Sequence, residues 1–487
     1  MPNKFLFLKK IFYAALLIAV LFDVCFSFKQ YSRFPLDGDM AGGVVPANDV
    51  KKILADPLGI SVLLKKEVYP NPNRFFAHWS VYKYFRTMPT FLQNFTSPID
   101  SVYLSCTIAK IITQVLLIFL LAYCASIYPN TKGKDTLLAA ALITPLFQTE
   151  GYNRVIGIID WSAAYTFFYA VPLIFTILFF LPFYNTYFLN KKNSFNIFTY
   201  LLLILLAIFI SLNGPLIPGV AILVCPITLI YYWHTLYKKT EENGVIKKMY
   251  ISASAIPKPL LFYFSLLSFL SLYSLYLGSF NSLNSSFNLP IYERYIRLAQ
   301  GVKNLFTEGP AFPLIILMIL LNVGIIIWKY NKEPDFSKVI SIPKCFVVFS
   351  ILYILLLPLG GTRMYRPYII RFDTIMPVTL GAFFLFSVTA LFLLKKITGF
   401  YKLIYFAITF AFLFHYMDED NSLFHNNIKE KAALEIIAKS PEKIVEIPSD
   451  VTVLSWVKIT DYTQSDLNAT LIQCWGITKE KKLYYQK

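Results

Sequence analysis

The feature that most restricts the fold of this chain is a series of eleven apolar runs whose connections alternate between lysine-rich and lysine-poor. The runs lie near 11–28, 102–127, 135–149, 159–184, 196–213, 215–233, 259–279, 310–328, 341–359, 374–394 and 400–416. A helix needs roughly 20 apolar residues to cross a bilayer, so each run is read as a span. The third is short and holds Pro145, which leaves a re-entrant segment open. Lysines gather in every second connection, from Lys132 and Lys134 to Lys395, Lys396 and Lys402. That alternation places the N-terminus inside and, for an odd number of spans, the C-terminus outside.

The expectation is therefore an all-α polytopic membrane protein with about eleven transmembrane helices. Composition agrees: 56% of the 487 residues are hydrophobic and 15% charged, which excludes a soluble enzyme with one ordinary core. The formal charge of +17 does not point to nucleic acid, because it sits in short loops between apolar runs. Lys4, Lys9 and Lys10 precede the first run and no small-x-small cleavage site follows, so it reads as an uncleaved signal anchor. Richness in Lys, Asn, Ile and Phe points to a bacterial source. The expected location is then the inner membrane, with a cytoplasmic N-terminus and a periplasmic C-terminus.

Arginine separates from lysine. All nine arginines (Arg33, Arg74, Arg86, Arg154, Arg294, Arg297, Arg363, Arg366, Arg371) fall on the outer side. A guanidinium offers a planar two-donor fork for phosphate or carboxylate, whereas an ammonium is a point charge. The outer face is thus expected to handle an anion. Arg74 with His78, the Arg294 and Arg297 pair at i, i+3, and Arg363, Arg366 and Arg371 are the candidate binding residues. Pairing with local acids such as Asp373, or with lipid headgroups, is the competing use of the last three.

Residues 29–101 form the first outer loop, far longer than ordinary connections and so expected to be functional. It opens with Asp37-Gly38-Asp39. In extended backbone the two carboxylates point to one side, and Gly38 permits a bend and a close approach. Such a pair can serve as a general base, hold a divalent cation such as Mg or Mn, or form a solvated turn. Two surface-parallel helices are expected in the loop. One runs near Asp49–Lys66, restarting at Asp56-Pro57, where Asp caps and Pro takes the first helical position. The other, from Asn73, suits either the headgroup plane or packing on the outer ends of the spans. Within the spans, Asp23 and Lys110 are expected to pair, and Glu150 and Asp160 flank the second outer connection.

Residues 417–487 form a second, polar outer segment, expected to be a small α/β unit. It has a helix at Ile428–Lys439 and strand-like runs at Val451–Val457 and Ala469–Trp475. His415, Asp418, Glu419, Asp420 and His425 have metal-ligand composition without metal-site spacing.

A single anchor span, Asp37-Gly38-Asp39, a long outer loop with two surface helices and many following spans together resemble the GT-C superfamily of integral membrane glycosyltransferases. The resemblance covers residues 1–416. It implies transfer of a sugar from a polyprenyl-phosphate carrier, on the outer face, to a lipid or glycan acceptor. It also implies an essential acid in the first outer loop, a role carried here to Asp37 and Asp39. Asp-Gly-Asp departs from the Asp-Glu pair of several members, leaving open which acid is the base and whether a metal is used. The competing readings are a transporter or flippase of an anionic lipid-linked substrate, and a non-catalytic partner in envelope polysaccharide assembly. No internal repeat and few midplane charges speak against transport.

Overall fold

A computed structural model of the chain describes residues 2–126, 132–148, 157–191, 195–242, 244–285, 289–362, 368–415 and 426–487. Arg363, Arg366, Glu150, Arg154, Asp418, Glu419, Asp420 and His425 lie outside the described residues, as does the side chain of His415.

The chain begins with α1 (Pro2–Tyr31), followed in the long first loop by α2 (Met40–Val44), α3 (Asn48–Ala55), α4 (Ile60–Lys65) and α5 (Phe75–Leu92). The first half of the bundle is α6 (Pro98–Ala125), α7 (Lys132–Ile143), α8 (Ala163–Phe188, including two π-helical stretches) and α9 (Ile197–Ser211). Then come α10 (Leu216–Lys239), α11 (Val245–Ser254), α12 (Lys258–Ser279), α13 (Ile291–Thr307), α14 (Ala311–Lys329), α15 (Phe336–Leu356), α16 (Phe372–Lys396) and α17 (Gly399–His415). The C-terminal part holds α18 (Asn426–Lys439), β1 (Ile444–Ile447), α19 (Asp466–Cys474) and β2 (Leu483–Gln486).

Among the described residues, eight helices are long and apolar enough to cross a membrane: those in α1, α6, α8, α10, α12, α14, α15 with its following turn, and α16. The other three expected runs are helical but shorter. α7 ends at Ile143, and Pro145 stands in a 3-10 turn at Thr144–Phe147, because its ring cannot continue an α-helix. α9 and α17 have 15 and 17 residues.

α16 is the axis of the bundle. It is buried along most of its length and packs on α6, α7, α14 and α15, with Gly381 facing the Phe346 ring. The lysine-rich ends come together. Lys395 pairs with Asp135, Lys396 pairs with Glu333, and Lys191 lies over Tyr123. At the opposite end the long first loop, the start of α6 and the C-terminal part share a core of Leu36, Met40, Val81, Phe85, Tyr103, Leu434, Val453 and Trp475.

Several expectations are corrected. Asp56 does cap α4, accepting from Ile60 N (2.7 Å) and Ser61 N (2.8 Å), but Pro57 precedes the helix instead of opening it. The helix begins after Gly59, which takes a left-handed φ of 68°. The run Ala469–Trp475 lies in α19, not a strand. Its buried Asn468, Ala469, Leu471 and Ile472 follow helical spacing, and that period outweighs the β-propensity of its branched residues. Val451–Val457 is irregular, with Leu454 at φ 48°. The two strands form elsewhere, as a parallel pair with Ile444 opposite Leu483. Asp23 and Lys110 do not pair. Asp23 accepts from Gln148, and Lys110 donates to the Trp161 carbonyl.

Candidate functional site

The acidic loop leaves α1 through buried Tyr31 and Phe34 and turns into α2. Asp37 and Asp39 share this turn but have different surroundings. Asp37 is buried, 1% exposed, and both its oxygens accept backbone N–H groups: Oδ1 from Asp39 (3.1 Å), Oδ2 from Ala164 at the start of α8 (3.2 Å). Burial, with the charge of Asp39, pushes its carboxyl above the usual range, opposed by the Ala164 bond and by Lys110. It is an anchor between loop and bundle, and the solvated turn allowed by the sequence is not what forms. Asp39 is half-buried and accepts one side-chain bond, from the Trp456 indole N–H to Oδ1 (3.1 Å).

Gly38 is required by packing. A Cβ there would stand 2.8 Å from the Trp456 backbone nitrogen and against its indole. The close approach expected at this glycine is made by the C-terminal part of the chain itself.

A third carboxylate joins the pair. Asp160 precedes α8 and accepts from Ser162 N (2.6 Å), while Ser162 Oγ caps the helix by accepting from Tyr165 N (3.1 Å). Burial raises Asp160 to about 7, reinforced by the charges of Asp373 and Asp37 and opposed by Lys110. Lys110, 1% exposed on α6, therefore sits in the field of Asp37 and Asp160, over the Phe34 ring at 4.9 Å.

The loop is locked from the far end of the chain by Glu430 on α18. Its Oε2 accepts from Leu36 N (2.8 Å) and Tyr103 Oη (2.7 Å), and its Oε1 from Leu454 N (3.2 Å). Burial lifts this carboxyl to about 7 against those three bonds.

Arg74 and His78 open α5 at i, i+4 spacing and are both buried. The guanidinium of Arg74 lies 5.6 Å from the Phe168 ring and 5.5 Å from the Tyr169 ring, and Nη2 donates to Tyr169 Oη at 3.5 Å. Its Nε and both ring nitrogens of His78 have no partner among the described residues. Burial, with the charge of Arg74, depresses His78 to about 3, so the ring is neutral at physiological pH. Gly214, at φ 109°, lets the α9–α10 turn close over Arg74, and its N–H donates to the Asn73 carbonyl (2.9 Å). An unpaired buried cation beside unpaired buried nitrogens is expensive in the absence of an anion.

No family model, curated protein or solved structure matches the chain.

The site residues expected from sequence thus divide. Asp37, Asp39, Arg74 and His78 are linked through the first turns of α8, where Tyr165 approaches Trp456 (5.9 Å) and Tyr169 (5.7 Å), and Phe168 approaches His78 (5.0 Å). These turns include a π-helical stretch, Thr166–Ala170, a deviation frequent at functional sites. Arg294 is used structurally, donating to the carbonyls of Leu289 (2.9 Å) and Pro358 (3.1 Å), with Arg297 one turn further along α13. Arg371 forms a two-bond pair with buried Asp373 (2.8 and 3.2 Å). Among the described residues, no three His, Cys, Asp or Glu side chains are arranged to hold a metal. Trp456, Trp161 and Glu430 carry no sequence signal. Lys110 and Asp160 stood out as charges in or beside spans, but nothing in the sequence joined them to Asp37.

Proposed function

We propose that this protein is a membrane glycosyltransferase that moves a sugar from a polyprenyl-phosphate carrier to a lipid or glycan acceptor at the outer face of the membrane. The observation that carries the reading is that the first turns of α8 link a carboxylate cluster to a buried cation, Arg74, that has no carboxylate partner among the described residues. The transfer needs a base for the acceptor hydroxyl and positive charge on the departing phosphate.

In this reading Asp39 takes the acceptor proton, since its Oδ2 has no protein partner among the described residues and the residue is half-exposed. The acceptor oxygen attacks the anomeric carbon, the bond from that carbon to the phosphate oxygen breaks, and polyprenyl phosphate leaves with the electron pair. Asp37 positions the loop through its two backbone bonds. Arg74 offers its fork to the carrier phosphate, with His78 as a neutral donor beside it. A divalent cation, if used, would contact Asp37 or Asp39. The setting in this reading is the bacterial inner membrane, with the acid loop on the periplasmic side, and the lysine alternation supports that sidedness.

The test is to incubate the purified full-length protein with a panel of polyprenyl-phosphate sugars and measure release of polyprenyl phosphate. Sugar-dependent release that falls in the Asp39→Asn variant supports transfer. Translocation of an intact carrier across proteoliposomes, without cleavage, would replace this reading with transport.

A further inference from the structure

The C-terminal part of the chain contributes directly to the surroundings of Asp39. Trp456 is 46% exposed although its indole N–H is engaged by Asp39 Oδ1 at 3.1 Å. Trp161 meets it edge-on at 5.1 Å and Tyr165 lies 5.9 Å away. An indole fixed at its edge, yet open on part of its surface, stands beside a carboxylate whose other oxygen has no protein partner among the described residues.

The backbone that delivers Trp456 is held in an unfavourable conformation. Leu454 has φ 48°, a left-handed geometry that an L-residue with a branched side chain rarely adopts. It is fixed from two sides. Leu454 N donates to Glu430 Oε1 (3.2 Å), and its carbonyl accepts from Asn468 Nδ2 (3.1 Å). Gly38 is bare so that the Trp456 backbone can come close. Three separate features therefore converge on placing one ring over the acidic turn.

The geometry points to Trp456 as the wall of a sugar-binding subsite, carried by the C-terminal part and resting on the transfer reading above. A pyranose ring has an apolar C–H face and a polar hydroxyl rim. The exposed indole surface takes the first, and Asp39 Oδ2 stays open to the acceptor hydroxyl. Through its N–H, Trp456 is also a positioning residue, fixing the rotamer of Asp39 by Oδ1 so that Oδ2 faces the substrate.

The test uses the full-length protein in nanodiscs, labelled with 5-fluorotryptophan. The Trp456 resonance is assigned by its loss in Trp456→Phe. Addition of polyprenyl-phosphate hexoses is expected to shift it, while polyprenyl phosphate without a sugar leaves it in place. On a donor that the wild type uses, Trp456→Leu should raise KM by about tenfold, from the lost ring contact. Trp456→Phe, which keeps a ring but lacks the N–H, should lower kcat with KM within about twofold. A merely structural tryptophan would give neither the sugar-specific shift nor the split between the variants. A resonance that moves equally with both carriers, or a wild-type KM in Trp456→Leu, overturns the subsite. A sugar-specific shift without turnover of any donor leaves the subsite standing and removes the transfer reading. Neither shift nor turnover removes both.

Discussion

Glu430 provides the most quantitative test of how the acidic loop is held. It is fully buried and titrates at about 7 instead of its ordinary 4.5, with burial as the main cause. A carboxyl with a raised folded-state value destabilises the fold when ionised, by about 3 kcal/mol for this difference. Its contribution is most favourable below the ordinary value and is lost as pH rises through about 7. Docking of the C-terminal part on the loop should therefore weaken between pH 5 and pH 8, by roughly 2–3 kcal/mol or about 70-fold in the local opening equilibrium. The titratable groups facing Glu430 are Tyr103, Cys106, Tyr484 and Asp37, and Asp37 adds to the same trend. Glu430→Gln removes the titration but places an amide where Leu454 N–H needs an acceptor, which costs about 1–3 kcal/mol at any pH. The variant should be less protected than wild type at pH 5 and comparable or better at pH 8. Hydrogen-exchange protection of peptides covering 33–37 and 450–456, corrected for intrinsic rates, reads both effects. Equal pH dependence in wild type and variant would refute the assignment of the buried charge to Glu430.

The other predictions concern the site and its sidedness. Asp39→Asn should insert and fold normally and reduce turnover by about 10²–10⁴-fold, the scale of a lost general base; a wild-type rate would remove Asp39 from the mechanism. Asp37→Asn should instead lower stability as well as turnover, because its two oxygens hold Asp39 N and Ala164 N; thermal melting in detergent separates the two variants. Arg74→Lys should weaken carrier binding by about 1.5–3 kcal/mol, since an ammonium lacks the fork; retention of wild-type affinity would show that charge alone suffices. Reporter fusions after about residues 60, 245 and 480 should read outside, inside and outside, as the lysine alternation requires.

The helical bundle was legible because its signal is local and repeated. Each span declares itself by an apolar run, and the lysine-rich ends that the structure brings together, such as Lys395 with Asp135, were already grouped by alternation. The long first loop was legible to the same extent: Asp56 caps α4, and the helix expected from Asn73 runs Phe75–Leu92. What was lost is long-range. The fate of a buried charge depends on which groups the fold brings to it, so Lys110, expected from sequence to pair with Asp23, donates instead to the Trp161 carbonyl. The strands failed for a related reason. Four-residue segments such as Ile444–Ile447 and Leu483–Gln486 gain strand character only from each other, across a connection that includes α19.

The two acids of one tripeptide illustrate the same principle at the site. Sequence makes Asp37 and Asp39 equivalent, and spacing brings both to one side. The difference between them comes from partners elsewhere in the chain. Asp37 meets the N-terminus of α8 and spends both oxygens on backbone N–H groups, so it can anchor but has little left to offer a substrate. Asp39 meets a single indole N–H, 417 residues away in sequence, which orients one oxygen and leaves the other. Glu430, Gly38 and the left-handed turn at Leu454 all serve the placement of that indole. An acidic pair that is solvated in an open loop thus becomes, in the folded chain, one structural acid and one presented acid. That division of labour depends on the C-terminal part as much as on the motif.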